Sequence, residues 1–118
     1  MPTMDAPSVA RVIAAVLREH PEQWTRRVFA RDAQGRKVDY RSSAAVCWCL
    51  HGFIRHVLQL PADGLETPTE ILSAFEQAAV GKSYDPRTSE EVAFVAWQDA
   101  EERTVADIIA VCDLVVAS

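Results

Sequence analysis

Apolar residues recur at three- and four-residue intervals early in the chain, where Val9, Val12, Ile13, Val16 and Leu17 mark one stripe of a helix. Asp5 precedes it as an N-cap, its carboxylate placed to accept from the unpaired amides of the first turn, and Pro21 bounds it. The period then changes. Val28 and Ala30 alternate with Phe29 and Arg31 before "DAQG", and Val38 and Tyr40 alternate with Lys37 and Asp39 after it. This predicts a two-stranded hairpin, with Asp32 opening a type I turn and Gly35 left-handed where the second strand returns. A lone hairpin is marginal in water, so it must rest on the helices.

A central helix is expected from Ser42 or Ser43 to about Leu60, stopped by Pro61. Val46, Leu50, Phe53, Ile54 and Val57 form its main stripe, which Ala45, Trp48 and Cys49 widen until most of the circumference is apolar. That places it at the centre of the core. Gly52 in its middle costs ~1 kcal/mol relative to alanine and marks a point where another element comes close. In "TPTE", Thr67 is the predicted N-cap, Pro68 the first helical residue and Glu70 the side chain reaching back. Ile71, Leu72, Phe75, Ala78 and Ala79 give that helix its buried face and Gly81 its end. "TSEE" opens a further helix over residues 88–99, preferred to the strand that Val, Phe and Trp would favour there. Thr104 caps a last helix with Asp107 in its first turn and Val105, Ile108, Ile109, Cys112, Val115 and Val116 turned inward. The pattern as a whole predicts a mainly α (α+β) single domain over residues 1–118. Four to five helices surround the central one, with one two-stranded β-hairpin after the first helix.

Composition agrees with a single core: the chain has 118 residues, 49% hydrophobic and 25% charged. No run is long enough to cross a bilayer, and "MPTMDAPS" lacks the basic-then-apolar layout of a secretion signal. Three cysteines, with Cys47 and Cys49 too close for an ordinary structural disulfide, suit free thiols in the cytoplasm. A net charge of −5 argues against bulk affinity for nucleic acid. That charge is unevenly placed, since residues 1–60 carry nine Lys/Arg against five Asp/Glu and residues 61–118 three against twelve. Attraction between the two halves of one fold is the preferred reading, ahead of a polarised surface for a partner.

Three groups of residues bear on chemistry. In "CWCLHGFIRH", Cys47, His51 and Arg55 fall on one polar helical stripe, with His56 rotated away. Zinc needs about four converging ligands, and a nucleophilic Cys47 served by His51 would need an orienting group and a pocket, so no metal, cofactor or catalytic residue is assigned. Around the hairpin, Arg26, Arg27, Arg36 and Lys37, with Arg31 and Arg41, lie near Trp24, Phe29 and Tyr40, a mixture that grips phosphates and stacks bases. A solvated outer face is the preferred reading there. In "AWQDAEERT", Asp99 is expected to pair with Arg103 and hold the turn; alternatively Trp48, Trp97, Asp99 and Arg103 line a cleft.

The ordered set of "W" at 24, "ARDAQGRKVD" at 30–39, "WCLHG" at 48–52, "AWQD" at 96–99 and "RT" at 103–104 resembles a family of small uncharacterised bacterial and phage proteins. Its members carry Trp, Ala-Arg-Asp-x-x-Gly-Arg, Trp-Cys-x-x-Gly, Trp-Asn-Asp and Arg-Thr before a last helix, and here Gln98 replaces the usual asparagine. The resemblance implies no reaction and no ligand. It puts Trp24, Arg31, Asp32, Trp48, Cys49, Gly52, Trp97, Asp99, Arg103 and Thr104 in motif positions. With His51 these supply the candidates for binding: Trp24, Arg31, Asp32, Trp48, His51, Trp97, Asp99 and Arg103. The expected function is a small non-enzymatic module that binds a protein partner or regulates one, in phage or mobile-element biology. Its rival is a ligand-binding protein or enzyme using the Trp48–Trp97–Asp99–Arg103 cleft, and nucleic-acid binding through the hairpin comes third.

Overall fold

A computed structural model describes residues 4–60, 67–81 and 96–118. The first helix, α1, spans Ala6–Glu19. Asp5 caps it as expected, accepting from the Ser8 N–H at 2.8 Å, a bond that holds its carboxyl below the usual range. Ala6, Val9, Ala10, Ile13, Ala14 and Leu17 are buried, so the inner stripe is rotated from the predicted one and Val12 stays 40% exposed. A 3-10 turn at Pro21–Gln23 leads to Trp24.

The hairpin forms where the alternation placed it. Strand β1 (Ala30–Arg31) pairs antiparallel with β2 (Lys37–Val38), Ala30 opposite Val38. Asp32 O accepts from Gly35 N at 2.9 Å, and Gly35 adopts φ +81°, which a side chain would disfavour.

The segment expected to be one long helix divides in two. Cys47–Trp48 is a strand, β3, pairing antiparallel with the other edge of β1, so the sheet has three strands in the order β2-β1-β3. Helix α2 runs only over Leu50–Leu58. Ser42 starts a turn instead of a helix: its Oγ accepts from Ala44 N at 3.1 Å, and Val46 N then donates to Arg31 O at 2.9 Å. The free edge of β1 captured residues whose apolar run suited either period, because valine and tryptophan fit a pleated surface well. Val46 is therefore 46% exposed rather than buried. Cys49 caps α2, its Sγ accepting from Gly52 N at 3.2 Å, and Gln59 closes it at φ 56°.

Helix α3 spans Thr69–Val80. Pro68 stands at the cap position with no side-chain bond, its carbonyl accepting from Ile71 and Leu72. The predicted cap, Thr67, lies one residue too early, and its hydroxyl is taken by His51 at 2.9 Å. Ile71, Leu72 and Phe75 are buried, Ala78 and Ala79 partly so, and Gly81 ends the helix at φ +77°. The "TSEE" cap and most of the 88–99 helix lie outside the described residues, while 96–99 is helical. Helix α4, Val105–Ala117, opens on the full capping box of Thr104 and Asp107 and buries Ile108, Val111, Cys112 and Val115.

The packing centre is α1 rather than residues 42–60. It lies along α4 and also touches α2, α3 and the 3-10 turn. Arg18 meets Asp113 at 2.5 Å across α1 and α4, one tie between the positive half of the chain and the negative half. The result is mainly α with a small antiparallel sheet, and among the described residues no helix is long and apolar enough to cross a membrane.

Candidate functional site

The motif residues converge on the amino end of α2, where three stretches of chain meet. Cys49 N donates to Phe29 O at 3.3 Å, and Gly52 faces the same peptide so closely that a Cβ there would overlap the Phe29 carbonyl. Only glycine fits, as the sequence suggested. From the third stretch, the buried Gln98 accepts through Oε1 from His51 N at 2.9 Å and satisfies an otherwise orphaned amide of the first helical turn. One residue on, Asp99 Oδ1 accepts from Arg27 N at 2.8 Å. Arg27 sits at φ +75°, a left-handed conformation that costs a non-glycine residue on the order of 1 kcal/mol. Arg26 Nη1 donates to Ala100 O and Glu101 O, both at 2.7 Å.

Most of the candidate side chains are committed to such ties. Trp24 bridges to Trp48, whose Nε1 donates to Tyr40 O at 3.0 Å and whose ring stacks on His56 with centroids 4.3 Å apart. Arg31 fans out to Thr25 Oγ1 at 3.0 Å, Gly35 O at 3.0 Å and Arg26 O at 3.3 Å, knitting the hairpin to the segment before it. Asp32 accepts from the backbone N–H of Arg36 at 2.8 Å, from that of Gln34 at 3.0 Å and from Arg36 Nε at 3.0 Å, which hold its carboxyl below the usual range. Arg103 lies 4.1 Å over the Trp97 ring and donates through Nε to Trp97 O at 2.8 Å.

These positions bear on three expectations. Asp99 does not pair with Arg103, because the left-handed Arg27 amide takes its carboxylate while the guanidinium stacks on an indole. Among the described residues, Trp48, Trp97, Asp99 and Arg103 are not brought together: Trp48 lines a groove between α1 and α2, Trp97 lies under Arg103, and Asp99 lines a different cleft. His51 is not on a wet stripe either. It is 5% exposed, and burial, helped by the positive Arg55, pushes its pKa down to about 4. With Cys47 on a strand, that thiol and His51 no longer share a helical face. Burial pushes the Cys49 thiol up to about 11, far from a ready nucleophile. Among the described residues, no group of three or more His, Cys, Asp or Glu is placed to hold a metal ion.

On the basic hairpin, Arg26 and Arg31 point inward to carbonyls, Arg36 is tied to Asp32, and Arg27 pairs loosely with Glu101 at 3.8 Å. Lys37 remains exposed. Two residues that build this hub were not among the candidates, Thr67 and Gln98; a glutamine one residue before the helix end at Asp99 is not distinctive in sequence.

Of the concavities lined by described residues, two include Trp48 or His51. The larger, about 610 Å³, runs between α1 and α2 over Met4, Val12, Val16, Trp48, Phe53 and Val57, with Gln23, Arg41, His56 and Gln59 at its rim. The smaller, about 300 Å³, is bounded by Arg27, Phe29 and Lys37 of the hairpin, with Cys49 and His51 of α2 and Gln98 and Asp99 completing it.

The class these features define is a small, mainly helical fold with a three-stranded sheet, in which a set of polar and aromatic motifs ties the chain to itself. The chain belongs to the family of unknown function DUF6197, whose model matches residues 1–117. Comparison with curated proteins and with solved structures finds no match.

Proposed function

We propose that the protein is a non-enzymatic docking module that receives an amphipathic, acid-flanked helix of a partner protein in the groove between α1 and α2. The observation that carries this reading is the groove itself: about 610 Å³ with an apolar floor, Val12 40% exposed at its side, and no carboxylate among its lining residues. A helix laid in such a groove anchors side chains at i, i+3, i+4 and i+7. Arg41 at the rim is the cation of the lining, since burial lowers the pKa of the neighbouring His56, and its exposed contact with Asp39 is long at 3.7 Å, so an acidic flank on the partner finds a positive charge there. The phage or mobile-element setting is supported by the family resemblance alone, and a cytoplasmic location by the free thiols. The test is affinity capture from the native host with wild type and with Val12→Glu, both checked for folding by circular dichroism. A specific polypeptide held by wild type and lost from the variant supports the reading. Equal retention by both, or no specific polypeptide on wild type, overturns it.

A further inference from the structure

The smaller cleft combines features that docking in the groove does not use. Its floor is uncharged near pH 7, because burial raises the Cys49 thiol to about 11 and lowers the His51 imidazole to about 4. Charge recognition therefore falls to Lys37, Arg27 and Asp99 on the walls. The Lys37 side chain has no hydrogen bond or ion pair among the described residues. Arg27 meets Glu101 at 3.8 Å with both side chains mostly in water (63% and 89% exposed), a contact that neutralises it little. Asp99 gives one oxygen to the Arg27 N–H, and its other oxygen has no partner among the described residues.

Phe29 adds an apolar surface at the mouth. Its ring stands edge-on to Tyr40 and to His51, with centroids 5.8 and 5.6 Å away, yet 44% of the residue is left in water. Phe29 and Lys37 also bound an adjoining cavity of about 410 Å³, which gives an apolar group on a ligand somewhere to extend.

We propose that this cleft binds a small zwitterion carrying an apolar group, of which an α-amino acid with a large apolar side chain is the simplest form. Its carboxylate would face Lys37 and Arg27, its ammonium the open oxygen of Asp99, and its side chain the ring of Phe29. A simple anion would meet Asp99, and a simple cation would meet Lys37 and Arg27, so each loses part of the attraction that a zwitterion keeps. A polyanion such as nucleic acid would meet Asp39, Asp99 and Glu101 beside the same cations. The volume sits at the small end of ligand pockets, roughly 300–1,000 Å³.

The test is a titration of the nitrogen-15-labelled protein with L-phenylalanine, followed by amide shifts. 3-Phenylpropionate and phenethylamine serve as probes that each lack one charge. The expected result is saturable shifts at Arg27, Phe29, Lys37 and Gln98 with the amino acid, and binding about tenfold weaker or worse with either probe. Lys37→Met should weaken the amino acid's binding about fivefold or more while leaving the unfolding midpoint unchanged, since that side chain has no structural tie. Absence of saturable shifts at those residues overturns the proposal, as does equal binding of a single-charge probe or unaltered binding by Lys37→Met. Val12→Glu should bind the amino acid as wild type does, which keeps this result separate from that of the groove.

Discussion

At the amino end of α2, polar and aromatic side chains are tied to other parts of the same chain, whereas along the outer side of α1 apolar side chains stand beside open space. The hub joins the hairpin, α2 and residues 96–104 through Gly52 against Phe29, Gln98 on His51, Asp99 on Arg27 and Arg103 on Trp97. Among the described residues no hydrogen bond crosses the groove from α1 to α2; Val12 and Val16 flank Trp48 and Phe53 across it. A motif rich in Trp, Arg and Asp looks like a binding site in one dimension, and here it closes a fold whose sheet strands are only two residues long. Strands that short need side-chain ties to hold their register.

The contrast breaks most visibly at Gly52. Gly52→Ala puts a methyl group into the Phe29 carbonyl, and because that obstacle is backbone rather than a pliable side chain, we expect a loss of about 3 kcal/mol or more in urea unfolding. A loss below about 1 kcal/mol would mean the hairpin does not lie against α2. Next comes acid. The folded pKa of His51, about 4, lies below its ordinary 6.5, so the unfolded chain takes up the proton first. Stability is then full above pH 6.5 and falls as pH drops toward 4, by up to about 3 kcal/mol. Denaturant melts across that window should show the slope in wild type and a flatter profile in His51→Gln. Gln98→Ala, which strips the acceptor from the His51 amide, should cost about 1–3 kcal/mol, with Gln98→Asn nearer wild type. Val12→Glu is expected to change stability by less than about 0.5 kcal/mol while abolishing partner capture, because that side chain is already 40% exposed.

Local signals were legible in the sequence. Asp5, the Thr104 and Asp107 box, the left-handed Gly35 and the Gly81 stop each act within a few residues of themselves, so a chain pattern suffices to find them. Gly52 was legible as a close approach, though not the identity of its neighbour. What failed depended on distant partners. Ala45 to Leu50 suits a helix by composition, and only the free edge of β1 explains why Cys47 and Trp48 extend along it. Thr67 has the right chemistry for a cap, but His51 claims its hydroxyl. Asp99 and Arg103 are well spaced to pair, yet the left-handed amide of Arg27, far away in sequence, binds the carboxylate. The motif residues were found without the contacts they make, and the groove escaped notice because it exists only once α1 and α2 are side by side.

Native-state hydrogen exchange at the His51 amide tests most directly whether the hub is a scaffold. If Gln98 holds that amide as part of the fold, its opening free energy should equal the global unfolding free energy to within about 1 kcal/mol. Rapid exchange from the otherwise folded protein would contradict the account, for it would show the centre of the motif to be loosely held.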